Sequence, residues 1–191
     1  MENETFKATL RGTSPLIMHN GLLADPDNKF SQELAKVAKG KAKDLLKASR
    51  IEWMGSLYLN EQGEPCLPVD VVLSALVDGA KAHKMGKQVK AGVYDIIGTD
   101  SFALQYTGPR DIDKLAELAE FRDRRGVRVQ MSRVMRTRPI FRKWAIDIEL
   151  EFDPSLISRD ELLTALTRTG KAVGMGDYRP RFGRFIVENF K

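Results

Sequence analysis

Two stretches of the chain alternate apolar and polar residues with the period of a β-strand. From Trp144 to Phe152 the alternation is strict. Trp144, Ile146, Ile148, Leu150 and Phe152 fall on one face, and Asp147, Glu149 and Glu151 on the other. Successive strand side chains point to opposite faces, so this run predicts a strand half buried against a core. Glu4 to Arg11 repeats the pattern with Phe6, Ala8 and Leu10 inward, and Arg184 to Asn189 predicts a closing strand.

Helical spacing fills the intervals. Ser31 stands where an N-cap belongs, before a helix running to about Ile51 with Leu34, Val37, Leu45 and Leu46 inward. Lys36, Lys39, Lys41, Lys43 and Lys47 form its solvated side, and Gly40 marks a bend. Pro68 opens a second helix over 69–83, with Val71, Val72, Ala75, Leu76 and Ala80 inward. His83 closes it at the negative end of the helix dipole. Ser158 and Glu161 have the spacing of a capping box, which predicts a third helix to about Gly170 carrying Leu162, Leu163, Leu166 and Ala172 inward.

The rest is less periodic. Leu57–Leu59 and Glu64–Leu67 predict a short hairpin around the turn Asn60–Gly63. Val93–Ile97 and Phe102–Tyr106 predict short strands, and 112–120 a short helix. Residues 126–138 read as one long strand, with Val127, Val129 and Met131 alternating with Arg128, Gln130 and Ser132. The phase breaks once after Ser132, as at a bulge. The order is strand, helices, insertion, strand, strand, helix, strand. That predicts a single α+β domain, 1–191, of the ferredoxin-like (RRM-like) βαββαβ plan. Its antiparallel sheet carries helices on one face, and short strands and loops are inserted at about 84–125.

With 42% apolar residues in 191, the chain suits a soluble globular protein. No apolar run approaches the ~20 residues of a membrane span. The N-terminus is acidic and polar, unlike a secretory signal. The single Cys66 can neither close an internal disulfide nor supply a cysteine metal site. Together these predict a cytoplasmic protein in a reducing environment.

Charge changes the picture more. The net charge is +5, yet Arg122 to Lys143 holds nine basic residues and one acid, a local +8 that leaves −3 for all the rest. Such clustering points to a polyanionic partner. Arg124, Arg125, Arg128, Arg133, Arg136 and Arg138 are the candidate phosphate contacts. A second basic run, Lys84, Lys87 and Lys90, sits with Gly86 and Gly92 in a segment suited either to clasping a ligand or to mere connection.

A third stretch, Gly174-Met-Gly-Asp-Tyr-Arg-Pro-Arg-Phe-Gly-Arg-Phe185, gathers three glycines, three arginines and three aromatics. Gly174, Gly176 and Gly183 permit tight turns and close approach of a ligand. Arg179 and Arg181 offer phosphate donors, and Tyr178 and Phe182 offer faces on which bases can stack.

Catalytic patterns are sparse. The sequence has no P-loop, no His/Cys/Asp cluster at metal-ligand spacing and no nucleophile elbow, so neither a cofactor nor a metal is expected. His19, in the turn His19-Asn-Gly21, is the one candidate acid–base group; Tyr178 or Lys84 could assist it.

The 174–185 loop, with the helix before it and the strand after it, resembles the C-terminal signature of the RAMP superfamily, the ferredoxin-like RNA-binding subunits of CRISPR effector complexes. Leu10-Arg-Gly-Thr-Ser-Pro-Leu-Ile-Met-His-Asn-Gly21 is similar to the first strand and turn of its backbone-subunit branch. As a whole the chain looks like a stand-alone, phage-encoded version, which would place it in the host cytoplasm. The resemblance implies backbone binding of single-stranded nucleic acid, RNA in preference to DNA, and side-by-side assembly into a homo-oligomer or filament. The expected function is non-catalytic strand binding, without membrane or small-molecule cofactor. Two alternatives stand beside it. One is a metal-independent endoribonuclease using His19. The other is a phage protein-interaction module that inhibits a host factor through its basic patch.

Overall fold

The alternating segments become paired strands in the computed structural model, which describes residues 2–37, 42–129 and 131–191. Lys39, Gly40, Lys41 and Gln130 lie outside the described residues. In chain order the elements are β1 (Glu4–Gly12), β2 (Leu16–Ile17), α1 (Lys29–Lys36), α2 (Ala42–Ser56), β3 (Cys66–Pro68), α3 (Val69–Lys81), α4 (Gly86–Gly92) and β4 (Val93–Tyr94). They continue with β5 (Ser101–Ala103), α5 (Ile112–Glu117), β6 (Arg122–Val129), β7 (Ser132–Phe141), β8 (Ala145–Phe152), α6 (Arg159–Arg168) and β9 (Phe185–Glu188). The fold is α+β with antiparallel sheets. Among the described residues no helix is long and apolar enough to cross a membrane.

The chain divides into two compact units. One comprises residues 1–16, 59–107 and 142–191, the other 17–58 and 108–141. The expected insertion at 84–125 is therefore shared: its first part belongs to the first unit and its last part to the second.

The first unit is built on a four-stranded sheet in the order β4-β8-β1-β9. β1 and β8 pair antiparallel from Glu4↔Phe152 to Arg11↔Ala145. That register sets Phe6, Ala8 and Leu10 beside Ile146, Ile148, Leu150 and Phe152, all buried. α3 adds Val72, Ala75, Leu76 and Ala80 to this core, and α6 adds Leu162, Ala165 and Leu166. α6 starts as expected: Ser158 accepts from the Glu161 N–H, and the Glu161 side chain accepts from the Ser158 N–H at 2.8 Å. Val71 and Leu163, expected inward, are half-exposed instead.

The second unit holds the three-stranded sheet β2-β7-β6 and helices α1, α2 and α5. Three expectations change here. The helix set at 31–51 is two helices. Asn28, not Ser31, caps the first by accepting from the Phe30 N–H at 2.9 Å, and the second runs on to Ser56. Leu45 and Leu46 are exposed, the latter at 61%, because α2 buries the face of Ser49, Glu52, Trp53 and Ser56. Trp53 anchors that face: its indole N–H donates to the Phe121 carbonyl at 2.8 Å, and Phe121 meets Phe141 edge-on.

The long strand expected at 126–138 is a hairpin. β6 and β7 pair from Arg122↔Pro139 to Val129↔Ser132, and the chain reverses where a bulge was expected, with Met131 at the tip, 93% exposed. A turn placed between two alternating runs breaks the phase just as a bulge does. The short hairpin expected at 57–67 reduces to a single bridge, Leu59↔Pro65, and β3 pairs with β5 instead.

Candidate nucleic-acid interface

Register decides what each arginine of the hairpin can do. Residues directly opposite share a face. Arg122, Arg124 and Arg128 therefore lie on one face with Arg133, Met135 and Thr137, and Asp123, Arg125 and Val127 lie on the other with Val134, Arg136 and Arg138.

The second of these faces is tied to protein. Arg125 donates from Nε to Asp123 at 2.6 Å and makes a further contact to the same carboxylate. Arg136 pairs with Glu52 of α2, which also accepts from the Thr137 N–H at 3.0 Å. Glu52 is only 8% exposed, and Arg138 only 9%. Burying a carboxylate is costly unless it is paired and hydrogen-bonded, and Glu52 has both compensations. The first face differs. Arg124, Arg128 and Arg133 are exposed, and Arg124 and Arg133 have no acidic partner among the described residues. Arg122 donates to the Glu117 carbonyl at 3.2 Å.

In the first unit the glycine loop folds onto itself. Gly183 has φ 70° and its N–H donates to the Pro15 carbonyl at 2.8 Å, while its carbonyl accepts from the Met175 N–H at 2.9 Å. A Cβ at Gly183 would sit 1.8 Å from the Met175 oxygen. At Gly174, with φ 76°, it would sit 2.5 Å from the Phe182 oxygen. These two glycines are required by the loop's own backbone, which is a reason other than the expected approach of a ligand. Gly176 also has a positive φ, 74°, and is half-buried.

The loop's side chains point to a different use. Arg179, Arg181 and Arg184 are exposed. Arg179 approaches Asp78 of α3 at 3.5 Å, and Asp78 also accepts from Lys81 at 2.6 Å. Half-buried Tyr178 and Phe182 meet edge-on with centroids 6.4 Å apart, and Arg181 lies 5.8 Å from the Phe182 ring. Lys84, Lys87 and Lys90 are exposed, and Lys90 lines a groove between α3 and α4 with Asp70 and Asp78. Asp78 thus brings Arg179 to the rim of the groove that Lys90 enters.

The face of the first sheet opposite its core carries Asp147, Glu149, Glu151 and Glu188 against Lys7 and Arg11. Lys7 pairs with Glu149 and Arg11 with Glu188, each at 2.8 Å, and Thr9 donates to Asp147 at 2.7 Å. This face is acid-rich and internally bonded.

His19 is exposed, and its carbonyl accepts from the Tyr58 hydroxyl at 3.0 Å. His19 lines a cleft of about 250 Å³ with Glu52, Arg136 and Arg138. Sequence reasoning passed over Glu52. The available signal was a lone acid between Ile51 and Trp53 in an apolar run, which on a buried helix face requires a cationic partner. Cys66 is buried in β3, and burial pushes its thiol up, away from nucleophilic use. Among the described residues no group of three His, Cys, Asp or Glu could hold a metal ion.

Compared with known proteins, the chain matches no family model and no curated protein.

Proposed function

We propose that this protein binds single-stranded nucleic acid through its phosphate backbone, without catalysis, and that RNA is its preferred strand. The observation that carries this reading is the split of the β6–β7 hairpin. The acids Asp123 and Glu52 engage arginines of one face, while Arg124 and Arg133 on the other stand exposed without acidic partners. An uncompensated basic ribbon costs stability through self-repulsion, and a polyanion relieves that cost. In the first unit Arg181 and Lys90 are further exposed cations, while Arg179 is shared with Asp78.

We further infer a RAMP-like, ferredoxin-like (RRM-like) plan for the first unit. Support comes from its all-antiparallel order β4-β8-β1-β9, with α3 between β1 and β4 and α6 between β8 and β9. In this plan the two-residue β4 takes the place that sequence reasoning gave to 126–138. The RAMP resemblance adds side-by-side assembly of copies along the strand.

One experiment tests the function. Labelled single-stranded RNA, single-stranded DNA and duplex are titrated at two salt concentrations. Single strands, RNA foremost, should bind best and weaken steeply with salt. Salt-independent binding, or none, refutes the reading.

A second reading has one observation in its favour: His19 shares its cleft with Arg136 and Arg138. Two guanidiniums beside an imidazole suit metal-independent phosphodiester cleavage. Incubation of the protein with excess RNA and a chelator distinguishes the two. Cleavage that His19→Ala abolishes, with binding intact, would establish the second reading.

A further inference from the structure

A pocket of about 500 Å³ opens within the second unit, where α2, the stretch from α5 to β6, and β7 converge. Leu46, Ala116 and Ala119 give it an apolar lining. Ser49 and Thr137 lie at its buried end, their hydroxyls bonded to each other at 2.7 Å, with Thr137 only 2% exposed. Arg122 and Arg124, both exposed, stand at its mouth.

The charges sort further. Arg50 also lines the pocket, but Asp113 at 2.7 Å and Glu117 at 3.9 Å compensate it. Arg122 spends one donor on the Glu117 carbonyl. Arg124 has no acidic partner among the described residues. The site thus combines an apolar slot, two hydroxyls at its end and an available guanidinium at its mouth. An anion alone has no use for the apolar lining, and an apolar ligand has no use for Arg124. A nucleotide matches both, with its base in the slot and its phosphate at the guanidinium. The volume lies within the range that holds ligands of this size.

We propose that this pocket receives one unstacked nucleotide of the bound strand, base inward and phosphate at Arg124. The inference rests on the strand-binding reading and adds to it a component that depends on the base. Ser49 and Thr137 are hydroxyls that donate and accept, so they meet the polar edge of any base and select none strongly.

The test compares a short oligoadenylate RNA with the same ribose–phosphate strand made without bases, at one salt concentration, on the full chain. The native protein should bind the base-bearing strand about tenfold more tightly, the scale expected from burying part of a base's apolar surface. Ala119→Trp and Leu46→Trp, both at exposed positions of the wall, fill the slot without changing the charge. Each should erase the difference while leaving the affinity for the base-free strand unchanged. Melting temperatures establish that both variants fold. Equal affinity of the native protein for the two strands overturns the pocket and leaves backbone binding standing. Retention of the full difference in both folded variants also overturns it. Absence of salt-dependent binding to either strand removes the pocket together with the reading beneath it.

Discussion

The two faces of the hairpin make opposite forecasts for the same chemical change. Consider Arg124→Ala with Arg133→Ala on one face, and Arg125→Ala with Arg136→Ala on the other. Each pair removes two positive charges from one ribbon. For single strands the log–log salt slope is about −0.7 per phosphate contact, so the first pair should flatten the slope by about 1.4 units. Over a fourfold change in salt that is roughly a sevenfold change in relative affinity. Its melting temperature should hold or rise slightly, because Arg133 stands directly opposite Arg128 and like charges so placed destabilise a sheet. The second pair should leave the slope nearly unchanged and lower stability. It strands Asp123 and the buried Glu52 without their cations, and an orphaned buried charge is costly. Fluorescence anisotropy across a salt series, with thermal melts of the same samples, reads both quantities. Equal flattening by both pairs would refute the claim that register separates binding arginines from structural ones.

Gly183→Ala should destabilise by at least about 1–2 kcal/mol from its positive φ alone, with more from the clash at the Met175 oxygen; chemical denaturation measures it. Glu52→Ala leaves the buried Thr137 N–H without its acceptor and should cost about 1–3 kcal/mol in the same assay. Glu161 is held below its ordinary value of 4.5 by the Ser158 backbone N–H, and next by the Ser158 hydroxyl. A lowered folded value means that its stabilisation is complete above 4.5 and lost as pH falls through the lowered value. Glu161→Gln should therefore melt below the native protein at neutral pH, and the two should converge under acid, in melts taken down to about pH 3.

What the sequence made legible were the elements whose signal is local. The alternation over 144–152 and 4–11 states which face is buried, and the structure buries those residues. The capping box at Ser158 is a contact over three residues and needs no tertiary context. The misread elements depend on partners distant in sequence. Leu45 and Leu46 look like core residues, but Trp53 reaching the Phe121 carbonyl turns the other face of α2 inward. Ser49 and Glu52 are polar yet buried, because Thr137 and Arg136 of β7 meet them there. A periodicity argument sees the polar residue and cannot see its partner 84 or more positions away. The hairpin at 122–141 lacks the Asn-Gly or Asp-Gly dipeptide that would announce its turn.

The same partners change what the charge count means. The local +8 between Arg122 and Lys143 counts every cation alike, but a ligand meets only those that the protein has not already engaged. Asp123 lies inside the window and is bound by Arg125; Glu52 lies seventy positions before Arg122 and is bound by Arg136. Both acids act on one face of the ribbon, so the remaining charge is directional. Thr137 of the first face meets Ser49 of α2 at 2.7 Å, and Arg136 of the second meets Glu52, so α2 crosses the edge of β7 and touches both faces, with Arg124 and Arg133 exposed on the first. The pairing of Glu52 with Arg136 therefore does two jobs at once. It helps the ribbon dock on its own helix, and it withdraws Arg136 from whatever polyanion the protein binds. Glu52→Gln separates the two: it should weaken docking of the ribbon on α2, read as lost stability, and leave the salt slope of binding intact so long as the hairpin stays folded. A slope that steepened by about 0.7 would mean that Arg136 had been released to phosphate, and that Glu52 governs how much of the patch a strand can reach.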